Sequence, residues 1–437
     1  MRGVSGALML AMVAGPVAAQ VGSPAGPVPV ERLKARREAL FQRLGTGVAI
    51  IRSAETRSIE GDYPQDSDYR ERNDFFYFTG LEAPGGTLVL VAQDSQPDRA
   101  VLFIPARNPM SERWTGPQLG PGPEATAITG ITDVHAADSM TQLVRPLLAV
   151  ARRGSLFIYR TKEELEAPVI QSLVYGPGAG RIEDLARHIA QLRLVKDADE
   201  IARLRKAIDI TAEAQREAMR AAAPGMWEYE IEAVIEYTFR RRGAERVGFP
   251  TIVGSGINAT TLHYDKSRRR TEAGDLVVMD IGAEYGYYSA DVTRTMPISG
   301  KFTPRQRAIY DLVYGASQAA IDSVRPGITI GQLQNIAQTY MREHSGKLCG
   351  DQPCNRYFIH GLSHWLGMDV HDVGPYNVPL RAGMVFTIEP GIYIPEERLG
   401  VRIEDDILVT ASGGEVLSAG APRTAADVEK AMAGSRR

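Results

Sequence analysis

The chain has 437 residues, enough for two or three domains of ordinary size. Apolar residues make up 44% and charged residues 24%, the balance of a globular chain rather than of a disordered one. A net charge of −3 gives no general attraction to nucleic acid or to an anionic membrane.

The first residues read as an export signal. Arg2 is a minimal basic region, Ala7 to Ala14 a short apolar core, and Val17-Ala18-Ala19 a cleavage site of small residues before Gln20. Residues 1–19 are therefore expected to direct the chain to the periplasm or outside, with a cytoplasmic chain as the alternative should the signal go unused. Residues 20–30 are a Pro/Gly linker. No other segment is long and apolar enough to span a membrane.

Residues 31–192 read as an α/β domain. A charged amphipathic helix (Glu31 to Leu44) precedes apolar β-like runs at Gly47–Ile51, Thr87–Ala92, Ala100–Ile104 and Ser155–Tyr159, with a helix over Ser139–Ala151. The aromatic run Asn73 to Gly80 reads as core packing of a strand. Gly116 to Glu124 is a Gly/Pro loop without a phosphate-binding pattern.

Residues 193–437 form a second unit. Asp197 and Glu200 make a capping box. Ile201, Leu204, Ile208, Ala212 and Met219 follow at helical spacing, with Gln215 the one polar break. Pro224-Gly225 ends that helix, and a second runs from Trp227 to Arg242. Arg240–Arg242, at its end, suits the macrodipole. That run and Arg268–Arg270 both read as solvated surface. Strands follow through Thr295. Thr303-Pro304 then opens another helix, which runs to Pro326-Gly327. A further helix and more strands complete an internal repeat of about 105 residues. Two copies imply one α+β domain with pseudo-twofold symmetry and a site at the shared face. Cys349 and Cys354 are the only cysteines. In an exported chain they are most simply a disulfide, and a reduced pair stays open if the chain is not exported.

The repeat delivers acids in matched places. Ala273-Gly274-Asp275-Leu276-Val277-Val278-Met279-Asp280 is echoed by Ala382-Gly383-Met384-Val385-Phe386-Thr387-Ile388-Glu389. Each copy is followed by a further strand with another acid, Asp291 in the middle of Tyr287–Thr295 and Glu404 in Val401–Val409. Alternation puts Arg402, Glu404 and Asp406 on one face. Acids are depleted in strands and costly when buried, and Asp280 lies in an apolar run. Asp405 and Asp372, by contrast, read as exposed loop or turn carboxylates. Four crowded carboxylates without cations would mostly protonate, whereas two divalent ions balance them. A bridging carboxylate holds such a pair roughly 3.5–4 Å apart. His263, His360, His364 and His371 cluster near these acids in sequence, while His344 reads as a surface residue. Four oxygen-donor side chains and one imidazole favour Mn²⁺, with Co²⁺ or Zn²⁺ as alternatives.

At these residues the chain resembles the aminopeptidase P, prolidase and creatinase family, and within it the bacterial aminopeptidase P type. The His360–Gly374 segment, Tyr69–Gly80 and Glu112-Arg113-Trp114 carry the closer likeness. The family implies a creatinase-like α/β N-terminal domain followed by a duplicated pita-bread catalytic domain. It implies Asp280, Asp291, His364, Glu389 and Glu404 as ligands of two metal ions. It also implies His263, His360, His371, Tyr393 and Arg402 as substrate-binding groups. Glu389, His263 and His371 would act in catalysis. Trp114 resembles a tryptophan lent by a neighbouring subunit of a homo-oligomer, a dimer or tetramer. The implied activity is release of the N-terminal residue from peptides with proline second, by attack of a metal-bridging hydroxide. A prolidase-type Xaa-Pro dipeptidase is the alternative, and a metal-free peptide-binding relative a remote one. Phe249 stands where the family commonly has tyrosine.

Overall fold

The computed structural model describes residues 24–56, 69–94, 96–151, 153–174 and 181–434. The expected export signal at 1–19 lies outside the described residues.

The first domain is one mixed sheet of β1 (Gly47–Arg52), β2 (Thr87–Ala92), β3 (Arg99–Ile104), β4 (Asp133–Ala136), β5 (Ser155–Ile158) and β6 (Arg181–Asp184), in the order β4-β3-β2-β1-β5-β6. β1 and β2 are apolar along their length and, apart from Arg52 at the end of β1, buried on both faces, so helices cover both sides. The helices expected over 31–44 and 139–151 are observed at Val30–Leu44 and Met140–Ala151 and supply part of that cover. The aromatic run is a helix, Asn73–Thr79, and not a strand. Gly80 ends it at φ 67, the left-handed C-cap that glycine tolerates best. Phe75, Phe76, Tyr77 and Phe78 are all buried, so no solvent-facing alternation marks the segment as either element.

The second domain repeats two helices followed by strands. Ala198–Ala221 carries the capping box of Asp197 and Glu200, and Glu228–Arg241 packs against it. Pro304–Asp322 and Ile330–His344 are the matching pair, each opened by a Thr/Gln capping box. The strands of the first half are β7 (Arg246–Val247), β8 (Ile252–Ser255), β9 (Leu276–Ile281), β10 (Ala283–Tyr285), β11 (Tyr288–Ser289) and β12 (Val292–Pro297). Those of the second are β13 (Val385–Ile388), β14 (Gly391–Ile394), β15 (Leu399–Arg402), β16 (Asp405–Val409) and β17 (Gly414–Val416).

Both acid-bearing strands are broken where continuous strands were expected. β9 pairs with β12 up to Ile281↔Val292, and β10 pairs with β11 beyond. Ala290 and Asp291 lie in the gap. Gly282 permits it, since a Cβ there would sit 1.9 Å from the Ala290 carbonyl oxygen. The β10–β11 hairpin closes on Gly286 (φ 57) and Tyr287 (φ 72), the two left-handed residues a type I′ turn needs. In the second half, β13–β16 and β14–β15 are separated by Glu389-Pro390 and Ile403-Glu404. Arg402 and Asp406 therefore belong to different strands, with Glu404 between them. A break lets the backbone aim a carboxylate inward without a continuous ladder opposing it.

Gln215 explains the polar break in its helix. Its Nε2 donates to the carbonyls of Met279 (3.1 Å) and Val292 (2.8 Å), bridging helix to both strands beside the gap. Asp405 and Asp372 are buried rather than exposed. Asp405 accepts from Arg294 (2.7 Å) and Arg423 (2.8 Å), and Asp372 from Lys196 (2.8 Å) and Arg193. Arg269 is likewise not a solvated cation, since it is half-buried on Asp275 and Ser255. His344 does lie on the surface, stacked on Tyr340. Cys349 and Cys354 are disulfide-bonded.

Replacing Gln215 with Leu removes both donations while keeping the volume. It should lower unfolding free energy by about 1–3 kcal/mol, read from urea melts. A loss below about 0.5 kcal/mol would show that the two carbonyls do not depend on it.

Candidate metal centre

A cavity of about 320 Å³ opens where the two halves meet. Asp280 enters from the end of β9, Asp291 from the first gap, and Glu389 and Glu404 from the second. His364 comes from the irregular segment after the second helix pair. Its Nε2 lies 3.3 Å from Asp291 Oδ2, 3.7 Å from Glu389 Oε1 and 3.9 Å from Glu404 Oε1. Donor atoms of Asp291, His364 and Glu404 lie within 4.8 Å of one another. His263, His360, His371 and Arg402 also line the cavity. Tyr393 reaches it through His360, whose Nε2 is 2.8 Å from the phenolic oxygen.

The donor set fits a metal cluster on its own hydrogen-bonding record. Asp280 Oδ1, Asp291 Oδ1 and Glu404 Oε1 are buried and accept no hydrogen bond from a described residue. In two of the three the other oxygen is held. Asp280 Oδ2 accepts from Arg402 at 2.6 Å and Glu404 Oε2 from Thr293 Oγ1 at 2.6 Å. One oxygen fixed and one left as a bare lone pair is what a ligand carboxylate needs. Three such carboxylate oxygens converge on one cavity, which marks a common purpose.

Arg402 is the cavity's organising cation. It donates to Asp280, to Thr293 Oγ1 (3.1 Å) and to Tyr393 Oη (3.0 Å). The halves are stitched beside it, as Glu404 N donates to the Thr293 carbonyl and Arg402 N to Thr295 Oγ1. Burial, and then the neighbouring acids Asp280 and Asp291 respectively, push Asp291 and Glu404 well above the usual carboxylate range. Burial pushes Glu389 up to about 7. Burial also holds His360 and His371 down at about 4, helped by Arg402 and His364 respectively.

Three supporting residues stand out: Glu228 and Thr293, which the sequence reading missed, and Asp406, which it placed on the Glu404 face without a role. Glu228 is fully buried and accepts from Ser255 N, Ser255 Oγ, Asn258 Nδ2, Tyr264 Oη and Arg269 N. It thereby ties down the loop that presents His263. Its place in the first turn of a helix suits the dipole and gives no local sign of this role. Thr293 looked like one more β-branched strand residue. Asp406, buried beneath the cluster, accepts from the Asp291 backbone N–H at 3.2 Å. Trp114 is not among the residues lining the cavity. It sits 68% exposed on the short helix Pro109–Thr115.

Comparison with known proteins agrees with this geometry. The model of metallopeptidase family M24 matches residues 202–411, and that of the aminopeptidase P N-terminal domain matches residues 33–157. The chain belongs to metallopeptidase family M24. It is an enzyme, a metallopeptidase hydrolase of the Xaa-Pro aminopeptidase group, and its catalytic domain is the pita-bread fold. It is 36% identical to the Xaa-Pro aminopeptidase of Escherichia coli (strain K12), over 93% of this chain and 98% of that protein. Xaa-Pro aminopeptidase 3 of Homo sapiens is 30% identical over 90% of this chain and 82% of that protein. Among solved structures, E. coli aminopeptidase P with the inhibitor Pro-Leu superimposes with a TM-score of 0.88 at 34% identity, covering 94% of this chain and all of that one. Proline aminopeptidase P II from Yersinia pestis gives 0.86 at 34% identity, covering 93% and 100%.

The shifted groups set a pH signature for the metal-free chain. Raised acids stabilise the fold fully below the ordinary carboxylate value of about 4.5, and that contribution is lost as pH rises through their folded values. Depressed histidines contribute above 6.5 and lose it as pH falls towards 4. Between 4.5 and 6.5 the two oppose; above 6.5 the acids act alone. Chelator-stripped protein should therefore melt at lower temperature as pH rises from 6.5 towards about 8, and added divalent cation should reverse the loss. A melting temperature that rises over that interval without metal would contradict the crowding of acids.

Proposed function

We propose that the chain removes the N-terminal residue from peptides whose second residue is proline, using two divalent cations held by Asp280, Asp291, His364, Glu389 and Glu404. The unpaired buried oxygens of Asp280, Asp291 and Glu404 beside His364 Nε2 carry this reading. Two bound cations would neutralise the acids and acidify a water to hydroxide at neutral pH. Hard oxygen ligands favour Mn²⁺, with Co²⁺ and Zn²⁺ as alternatives; one E. coli relative has been solved in zinc-substituted form.

The chain's own groups supply the rest. His263 and His371 line the cavity and can donate to the oxyanion that forms at the carbonyl before proline. Glu389 takes a proton from the attacking water and returns it to the departing proline nitrogen. The His360–Tyr393–Arg402 chain of hydrogen bonds holds the wall against which the proline side packs. The nearest competing reading is a prolidase-type dipeptidase, which would prefer Xaa-Pro to a longer peptide.

Export remains part of the proposal. The Cys349–Cys354 disulfide suits an oxidising compartment. No helix among the described residues is long and apolar enough to cross a membrane. A homo-oligomer, with Trp114 placed in a neighbouring copy's site, accounts for a tryptophan so exposed on its own chain.

Asp291→Ala should abolish turnover of a Xaa-Pro-Yaa tripeptide, by more than about a thousandfold, and should lose bound manganese by elemental analysis. Wild-type protein should cleave the tripeptide at least about tenfold faster than the Xaa-Pro dipeptide, a specificity gap of about 1.4 kcal/mol. The reverse preference would favour the dipeptidase, and an active Asp291→Ala would overturn the metal assignment.

A further inference from the structure

His371 presents a geometrical problem. It lines the cavity and is exposed there, yet among the described residues none hydrogen-bonds its ring. Its one ring contact is the imidazole of His364, stacked at 4.0 Å between centroids with 23° between planes. A side chain so lightly held takes its position from its backbone. Histidine rotamers are few, so a fixed Cα and a stacking partner suffice to set the ring.

The residue that fixes that backbone is the next one. Asp372 is buried, and both its carboxylate oxygens are occupied by cations: Oδ1 by Arg193, and Oδ2 by Lys196 Nζ at 2.8 Å. Its backbone N–H donates to the Trp365 carbonyl at 2.8 Å, closing the loop that begins at His364. The loop wraps the carboxylate so closely that a Cβ on Gly367 would meet Asp372 Oδ2 at 2.1 Å. Burial alone would raise the Asp372 carboxyl, but Arg193 and Lys196 outweigh it and hold it below the usual carboxylate range.

The clasp also reaches into the other domain. Arg193 Nη1 donates to Asp74 Oδ1 at 2.7 Å, and Asp74 also accepts from the Tyr159 hydroxyl. A second Arg193 nitrogen pairs with Asp369 at 2.8 Å. Lys196 N donates to the Gly383 carbonyl, at the start of the Glu389 strand. A buried ion cluster of this kind is a poor source of net stability, because desolvation offsets most of its attraction. It is a source of fixed geometry when each cation meets a carboxylate, as Arg193 and Lys196 do here.

We propose that Asp372, clasped by Arg193 and Lys196, is a positioning residue for catalysis that holds His371 in register with His364 and ties that register to the N-terminal domain. This rests on the assignment of His371 to the reaction. An imidazole displaced by about an ångström from the reacting carbonyl can cost up to about a hundredfold in rate.

The test is a double-mutant cycle on the metal-loaded full chain, with a Xaa-Pro-Yaa tripeptide as substrate. Asp372→Asn should lower kcat at least about tenfold, change KM less than about threefold, and leave two metals bound. His371→Ala should lower kcat as well. In the His371→Ala background, Asp372→Asn should cost less than about twofold more, because its effect passes through the missing ring. Equal factors in both backgrounds, or a wild-type kcat for Asp372→Asn alone, would overturn the proposal. A wild-type kcat for His371→Ala would instead overturn the role of His371 itself. If Asp372→Asn does not fold, Lys196→Met, which removes one cation of the clasp, runs through the same cycle with the same criteria.

Discussion

Among the described residues lining the cavity, four carboxylates face one guanidinium. Asp280, Asp291, Glu389 and Glu404 point into a largely buried space whose only permanent cation is Arg402. His360 and His371 do not redress this, since burial keeps both neutral at physiological pH. Like charges in low dielectric repel by several kcal/mol at contact distances. The fold must therefore either protonate its acids or supply cations. Much of the catalytic domain serves to keep that uncomfortable arrangement in place. The broken strands aim the acids, Gln215 braces the first break, and Arg402 and Thr293 fix one oxygen each of Asp280 and Glu404.

The N-terminal domain joins this arrangement, although none of its described residues is among those lining the cavity. Arg70 pairs with Glu284 at 2.8 Å and donates to the Met368 carbonyl, beside the first break and the His364 loop respectively. Phe76 stacks on Tyr287 at 3.8 Å, and Tyr287 donates to Glu82. These contacts grip the left-handed turn whose strain the tyrosine at φ 72 records. The two domains therefore share the task of fixing the strand break from which Asp291 projects. A catalytic half alone would leave that turn, and the Arg193 clasp, without their opposing surfaces.

The cluster of acids was legible in the sequence because duplication printed it twice. A carboxylate at the end of an apolar strand is an oddity; the same oddity at Asp280 and Glu389, each with an acid-bearing strand after it, is a design. Two helix starts were legible as well, since Asp197 and Thr303 carry local capping chemistry that acts within three residues. What escaped were features whose cause lies far along the chain. Asp405 looks like a turn acid until Arg294, 111 residues away, arrives to pair with it. Asp372 meets its cations from 176 and 179 residues away. Alternation along Tyr287–Thr295 and Val401–Val409 reported which faces turn inward, but a period of two carries no signal for a ladder that stops and restarts. The aromatic helix Asn73–Thr79 was misread because its aromatic residues are all buried, which erases the periodicity that separates helix from strand.

The most direct measurement is a crystal structure of the manganese-soaked protein with anomalous data collected above the manganese edge. Two peaks roughly 3.5–4 Å apart, both within bonding distance of Asp291 and Glu404, are the predicted result. A single peak, or manganese bound away from the bare oxygens of Asp280, Asp291 and Glu404, would contradict the proposed pair of cations.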